Sequence, residues 1–137
     1  MLFLTACASQ PGVTGKGDQN DPWIVKVSID PNIRCKILAA EAEPNTCGLA
    51  DRSDICVQQD KFIQWESDPA GTGFKIYFDP VVGRPFKSSN GKLKTRIDEK
   101  APPAMYKYTI TGGGNCDPNN QADILDPGIR VDKRVPI

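Results

Sequence analysis

The sequence predicts an all-β protein, a two-sheet Greek-key β-sandwich of about seven strands that carries a cysteine-bearing insertion. Three observations predict it. The 137 residues include 12 Gly and 12 Pro, and because both interrupt helical hydrogen bonding the chain is rich in turns and poor in helices. Several short segments alternate apolar and polar residues with the period of two that a half-buried strand requires. Turn-forming clusters at 67–73, 112–114 and 126–128 separate those segments. With 39% hydrophobic residues the chain has material for one core, and its length suits one domain.

The first strand is Trp23 to Ile29, in which Trp23, Val25, Val27 and Ile29 share a face opposite Lys26 and Ser28. Asp30-Pro31-Asn32 ends it. Residues 37–43 have helical propensity but too little length, so one turn of helix is expected, inside an insertion spanning 31–59. A short strand is expected there as well. Ile63 and Trp65 point inward in the next strand against Gln64 and Glu66. After the 67–73 turn, Phe74, Ile76 and Phe78 alternate with Lys75 and Tyr77, and a shorter strand is expected near Val81 and Val82. Residues 93–97 form a polar edge strand. The strongest late strand covers 105–111, with Tyr106, Tyr108 and Ile110 on one face and Lys107 and Thr109 on the other. Ile129 to Asp132 follows the Asp126-Pro127-Gly128 turn as the last strand.

The chain opens Met1-Leu2-Phe3-Leu4-Thr5-Ala6-Cys7, and Leu4-Thr5-Ala6-Cys7 resembles the lipobox of bacterial lipoproteins. That resemblance implies cleavage before Cys7 and lipidation of Cys7, which leaves 1–6 as a residual signal segment. Ala8 in place of Asp implies, again by resemblance, anchorage to the outer membrane on its periplasmic side. Residues 7–21, rich in Gly and polar side chains without periodicity, are then a flexible tether, and 22–137 form the sandwich domain. No segment has the 18 or so apolar residues of a membrane-spanning helix, so lipid is the expected contact with the membrane.

Without Cys7, the remaining Cys35, Cys47, Cys56 and Cys116 are an even set in a small chain, which suits a disulfide framework in an oxidising compartment. Successive members are separated by 11, 8 and 59 residues, unlike the close pairs of four-cysteine zinc sites. Three connectivities are open. Cys47–Cys56 within one loop and Cys35–Cys116 between distant loops is the favoured one, because long loops in small domains gain most from a crosslink.

The order of strong segments from Trp23 to Asp132 resembles small cupredoxin-like domains of exported bacterial proteins. It runs through Phe62-Ile63-Gln64-Trp65, Arg84-Pro85-Phe86, Tyr106-Lys107-Tyr108-Thr109-Ile110 and Leu125-Asp126-Pro127-Gly128-Ile129-Arg130-Val131. The resemblance implies a cupredoxin-like sandwich; an immunoglobulin-like one satisfies the same strand pattern. It carries over no copper site, because blue-copper centres need two histidines and a cysteine, and this chain has no histidine.

The missing histidine also removes the usual general base, so an enzyme is not expected and no cofactor is implied. Residues 117–123, with Asp117, Asn119, Asn120 and Asp123, suggest calcium but lack the Gly and Glu of a calcium loop, Ala122 and Gly128 standing at those places. They read as a solvated turn. Equal numbers of basic and acidic residues, 17 each, exclude nucleic acid as a partner held by overall charge. Locally, residues 84–100 carry six basic against two acidic side chains, while 41–60 carry five acidic against one basic. Arg84, Lys87, Lys92, Lys94 and Arg96 are thus the candidate partner-binding residues. The expected function is a non-enzymatic envelope lipoprotein that acts as a structural or interaction module for another envelope protein. The alternative is a module that binds a glycan or small ligand, or that inhibits an exogenous hydrolase; an exposed aromatic cluster would favour the ligand.

Overall fold

The computed structural model describes residues 16–43, 53–78 and 85–132. Among them are ten strands and no helix. One layer is a four-stranded sheet whose centre is β1 (Trp23–Ile29), flanked by β2 (Ile37–Ala42) and β4 (Phe62–Asp68), with β7 (Lys92–Arg96) at the far edge beside β4. Facing it are two three-stranded sheets. In one, β5 (Phe74–Tyr77) lies between β9 (Thr109–Gly112) and β6 (Phe86–Lys87). In the other, β10 (Gly128–Asp132) lies between β3 (Ile55–Gln58) and β8 (Ala104–Lys107). β1 pairs with β4, and β3 with β10, in parallel, so their connections run through other strands before returning.

The core lies between the layers, where Val25, Val27 and Ile29 of β1 and Ile63 and Trp65 of β4 meet Ile55, Val57, Phe74, Ile76, Tyr108, Ile110, Ile129 and Val131. Alternation in β1 and β4 is what the sequence predicts, because each has one covered and one solvated face. The edge position of residues 92–96 agrees too.

Other segments differ. Residues 37–42 form a strand rather than a helical turn: six residues cannot stabilise a helix nucleus, and the free edge of β1 offers them a full antiparallel ladder. A register shift between Ser28 and Ile29 lets Ile37 and Ala40, three positions apart, both face the core. The segment expected to be an insertion thereby contributes β2 and β3 and four core side chains, Ile37, Ala40, Ile55 and Val57. The strand expected over 105–111 is divided at Tyr108, so β8 belongs to one sheet and β9 to the other. β9 is buried on both faces. The connection that follows it folds back over the face expected to be solvated: Thr109 Oγ1 donates to Asp126 Oδ1 at 2.6 Å, and Lys75 Nζ, on the neighbouring strand, donates to the Gly114 carbonyl at 2.8 Å. The strand expected near Val81 and Val82 lies outside the described residues.

Residues 16–21, which the sequence reads as the end of the tether, pack against the four-stranded sheet. The Phe62 N–H donates to the Gly17 carbonyl, Lys61 pairs with Asp18 at 2.8 Å, and Lys16 reaches Glu43 at 3.0 Å.

A disulfide joins Cys35 to Cys116 across 81 residues of sequence. It ties the turn before β2 to the connection after β9. Gly112 makes room for it, since a Cβ there would meet the Arg34 carbonyl oxygen, Cys35 Cα at 2.7 Å and Cys116 Sγ at 2.9 Å. Cys56 is disulfide-bonded as well, and Cys47, the partner the sequence assigns to it, lies outside the described residues. Replacing both Cys35 and Cys116 with Ala releases the long loop in the unfolded chain, and is expected to lower the unfolding free energy by about 4 kcal/mol. Urea denaturation of the double variant against the parent measures it; a change under about 1 kcal/mol would mean that the bond adds little to stability.

Candidate functional site

The site begins at a buried aromatic pair. Trp65, in the middle of β4, and Tyr108, at the junction of β8 and β9, pack edge to face with centroids 5.5 Å apart. Trp65 Nε1 donates to the Tyr108 hydroxyl at 2.9 Å, which satisfies an indole N–H that is otherwise costly to bury. Phe78 extends the stack outward, 5.9 Å from Trp65 and 6.1 Å from Tyr108, and Phe86 continues it at 5.2 Å from Phe78. Phe78 is 37% exposed and Phe86 49%. The aromatic series therefore runs from the centre of the core to solvent.

It ends at a cavity of about 540 Å3. The cavity opens where the two layers part, between the edge strands β7 and β8. Tyr108, Ile129 and Val131 form its floor, Thr95, Ile97 and Ala101 line the β7 side, and Tyr106 stands on the β8 side. Tyr106 is directly opposite Ile129 in the ladder, so it faces the interior as alternation requires. It is nevertheless 39% exposed, because nothing described fills the gap in front of it. Its hydroxyl donates to the Pro102 carbonyl at 2.5 Å. Both tyrosine hydroxyls at the cavity are thus engaged within the protein, and the interior presented to a ligand is mainly hydrocarbon and aromatic.

The predicted basic residues take different places. Lys92, Lys94 and Arg96 alternate along β7 and project from one face of it. Lys94 and Arg96 also line the cavity, together with Asp98 and, on β8, Lys107. Lys87 is on β6, in a different sheet, opposite Lys75. Arg84 lies outside the described residues, as does Cys7. The acidic segment is largely consumed by the fold: Asp60 pairs with Arg96 at 2.6 Å, Asp54 accepts from the Gly128 N–H, and Glu43 accepts from the Ile24 N–H. Among the aromatic side chains, Trp65 and Tyr108 are core, and Tyr106 belongs to the cavity. Phe78 and Phe86 are what sequence analysis missed as site residues. Their signal was an apolar residue on each side of residues 79–85, which alternation alone assigns to the core.

Among the described residues no group of three or more Cys, Asp or Glu side chains could hold a metal ion. The oxygens of 117–123 cap their own turn: Asp117 Oδ1 accepts from Asn119 N, Asn120 Oδ1 accepts from Ala122 N, and Asn120 Nδ2 donates to Asp123. Asp98 is the one carboxylate in the described cavity lining, whereas carboxylate-based glycoside hydrolysis needs two. No family model matches the chain, and no curated protein matches it.

Burial holds the Tyr108 hydroxyl well above the ordinary phenol value; the Trp65 N–H opposes that shift and the nearby Asp54 carboxylate adds to it. A phenol raised in the folded state ionises first in the unfolded chain. Its contribution to stability is therefore whole below about pH 10 and is lost as pH rises above it. Tyr108→Phe is expected to lower stability at neutral pH by about 1–3 kcal/mol, through the orphaned Trp65 N–H, and to flatten the alkaline fall. Denaturation of both proteins between neutral and strongly alkaline pH provides the check; parallel curves would show that Tyr108 is not the group concerned.

Proposed function

We propose that this chain is a non-enzymatic envelope lipoprotein, anchored through Cys7, whose domain binds a small apolar ligand in the cavity between β7 and β8. The observation that carries it is the cavity itself, with an apolar floor and three partly exposed aromatic rings, Phe78, Phe86 and Tyr106. Its volume of about 540 Å3 falls in the range of small-molecule sites, which are mainly apolar with few polar groups. Exposed aromatics gathered at one opening are uncommon on a surface that has no ligand to meet.

The cavity supports a ligand over a protein partner held by the basic segment, because Arg96 is already paired with Asp60 and Lys87 sits on another sheet. It also supports an apolar ligand over a glycan. Sugar hydroxyls lose their water on binding and need polar replacements, and the tyrosine hydroxyls here are engaged by Trp65 and Pro102. The Leu4-Thr5-Ala6-Cys7 run and the disulfide-bonded cysteines support the address in the envelope.

N-Phenyl-1-naphthylamine, a neutral apolar fluorophore, is expected to bind the purified chain with enhanced emission. Phe86→Ala should weaken it about fivefold by removing one ring, and Ala101→Phe should abolish binding by filling the cavity. Unenhanced emission with the parent protein, or equal binding by all three proteins, would remove the ligand reading. For the anchor, Cys7→Ser is expected to move the protein from the membrane to the soluble fraction of cells; continued membrane association would overturn it.

A further inference from the structure

The strands that flank the cavity, β7 and β8, are both sheet edges, and the hydrogen bonds fix which of their main-chain groups stay unpaired. The Ile97 N–H donates to the Lys61 carbonyl and the Ser67 N–H to the Gly91 carbonyl. In the antiparallel ladder of β4 with β7, the bonds to β4 therefore belong to Gly91, Leu93, Thr95 and Ile97. Lys94 and Arg96 turn their N–H and C=O groups to the open edge. On β8 the Tyr108 N–H donates to the Pro127 carbonyl, and the same alternation turns the main chain of Met105 and Lys107 away from β10. No described residue hydrogen-bonds any of these four main chains. The side chains of β7 point otherwise: Leu93 lies opposite the buried Trp65, so Leu93 and Thr95 face the interior while Lys92, Lys94 and Arg96 stand on the outer face.

Resting on the reading that this cavity takes an apolar group, we infer that the group arrives on an extended peptide that adds to β7 as a fifth strand, its apolar side chains entering the cavity at alternate positions and acidic ones lying outside beside Lys92 and Lys94. Strand addition needs a row of unpaired N–H and C=O groups together with space for alternate side chains, and both occur at this one opening. The outer face selects the charge. Lys92 lies opposite Glu66 and Arg96 is paired with Asp60, whereas Lys94 donates to the neutral Gln19 carbonyl. Like charges directly opposite one another destabilise a ladder, so lysines that guard the edge against strands in general admit one whose outer side chains are acidic.

The peptide acetyl-Glu-Val-Glu-Phe-Glu-Val-Glu-amide serves as the probe. It is expected to displace N-phenyl-1-naphthylamine from the full chain at neutral pH and to slow hydrogen exchange of the Lys94 and Arg96 amides, read by NMR. Methylating the main-chain nitrogens of the two glutamates beside Phe, which face β7 in the added strand, should weaken binding about tenfold for each bond lost; methylating that of Phe, which faces away, should change it little. Lysines in place of the glutamates should cost about tenfold, and added salt should shrink that difference. Lys94→Pro removes an edge N–H without removing a ladder bond, and is expected to keep the fluorophore and lose the peptide. Fluorophore that binds but is not displaced would overturn the added strand and leave the apolar cavity standing. Equal binding of the glutamate-methylated peptide would overturn pairing with β7, and equal binding of the lysine peptide would overturn the acidic outer face. Failure of the fluorophore to bind, with both amides unprotected by the peptide, would overturn the cavity and the strand together.

Discussion

The hydrogen-bonded contact between Trp65 and Tyr108 is the constraint on which the rest of the arrangement depends. Trp65 is the largest fully buried side chain and comes from the middle of the four-stranded sheet. Tyr108 occupies the point where the facing layer divides. Each presents one polar atom to the core, and the Tyr108 hydroxyl oxygen accepts from the Trp65 N–H. An indole N–H without a partner is costly at that depth, so the bond sets where β4 lies relative to the break between β8 and β9. Because Tyr108 is held inward, the chain before it runs along β10 and the chain after it runs along β5.

Dividing that strand has two opposite consequences. On the β9 side the layers close completely, and the connection from Gly113 to Pro127 also covers the outer face. That cover is held by the Cys35–Cys116 bond, by Lys75 on the Gly114 carbonyl and by Thr109 on Asp126. On the β8 side no comparable cover is described. There the edges β7 and β8 stay apart, and the core's own residues, Tyr108, Ile129 and Val131, become the floor of an opening. Among the described residues, the candidate site is thus the place where the two layers are left open.

Its chemistry follows from that origin. A gap between sheets inherits inward-facing side chains, so the interior is apolar; its lips are edge strands, which carry lysines that discourage strand addition. Lys94, Arg96 and Lys107 are therefore where edge protection would place them.

Much of this was legible in the sequence because it depends on local periodicity. Val25, Val27, Ile29, Ile63 and Trp65 alternate with polar residues, which identifies β1 and β4 and their buried faces without knowledge of their partners. The Gly- and Pro-rich turns and the even set of body cysteines likewise pointed to a disulfide-linked all-β chain. What the tertiary structure decided is pairing and cover. Residues 37–42 are a strand because the edge of β1 is available to them, a fact no window of six residues contains. Thr109, Thr111 and Lys75 are buried because a connection formed by later residues folds back on them. Phe78, Phe86 and Tyr106 border a cavity rather than the core because no described residue covers them from the opposite side, although their spacing is that of buried residues. Alternation states which way a side chain points; only the packed structure determines what, if anything, it meets there.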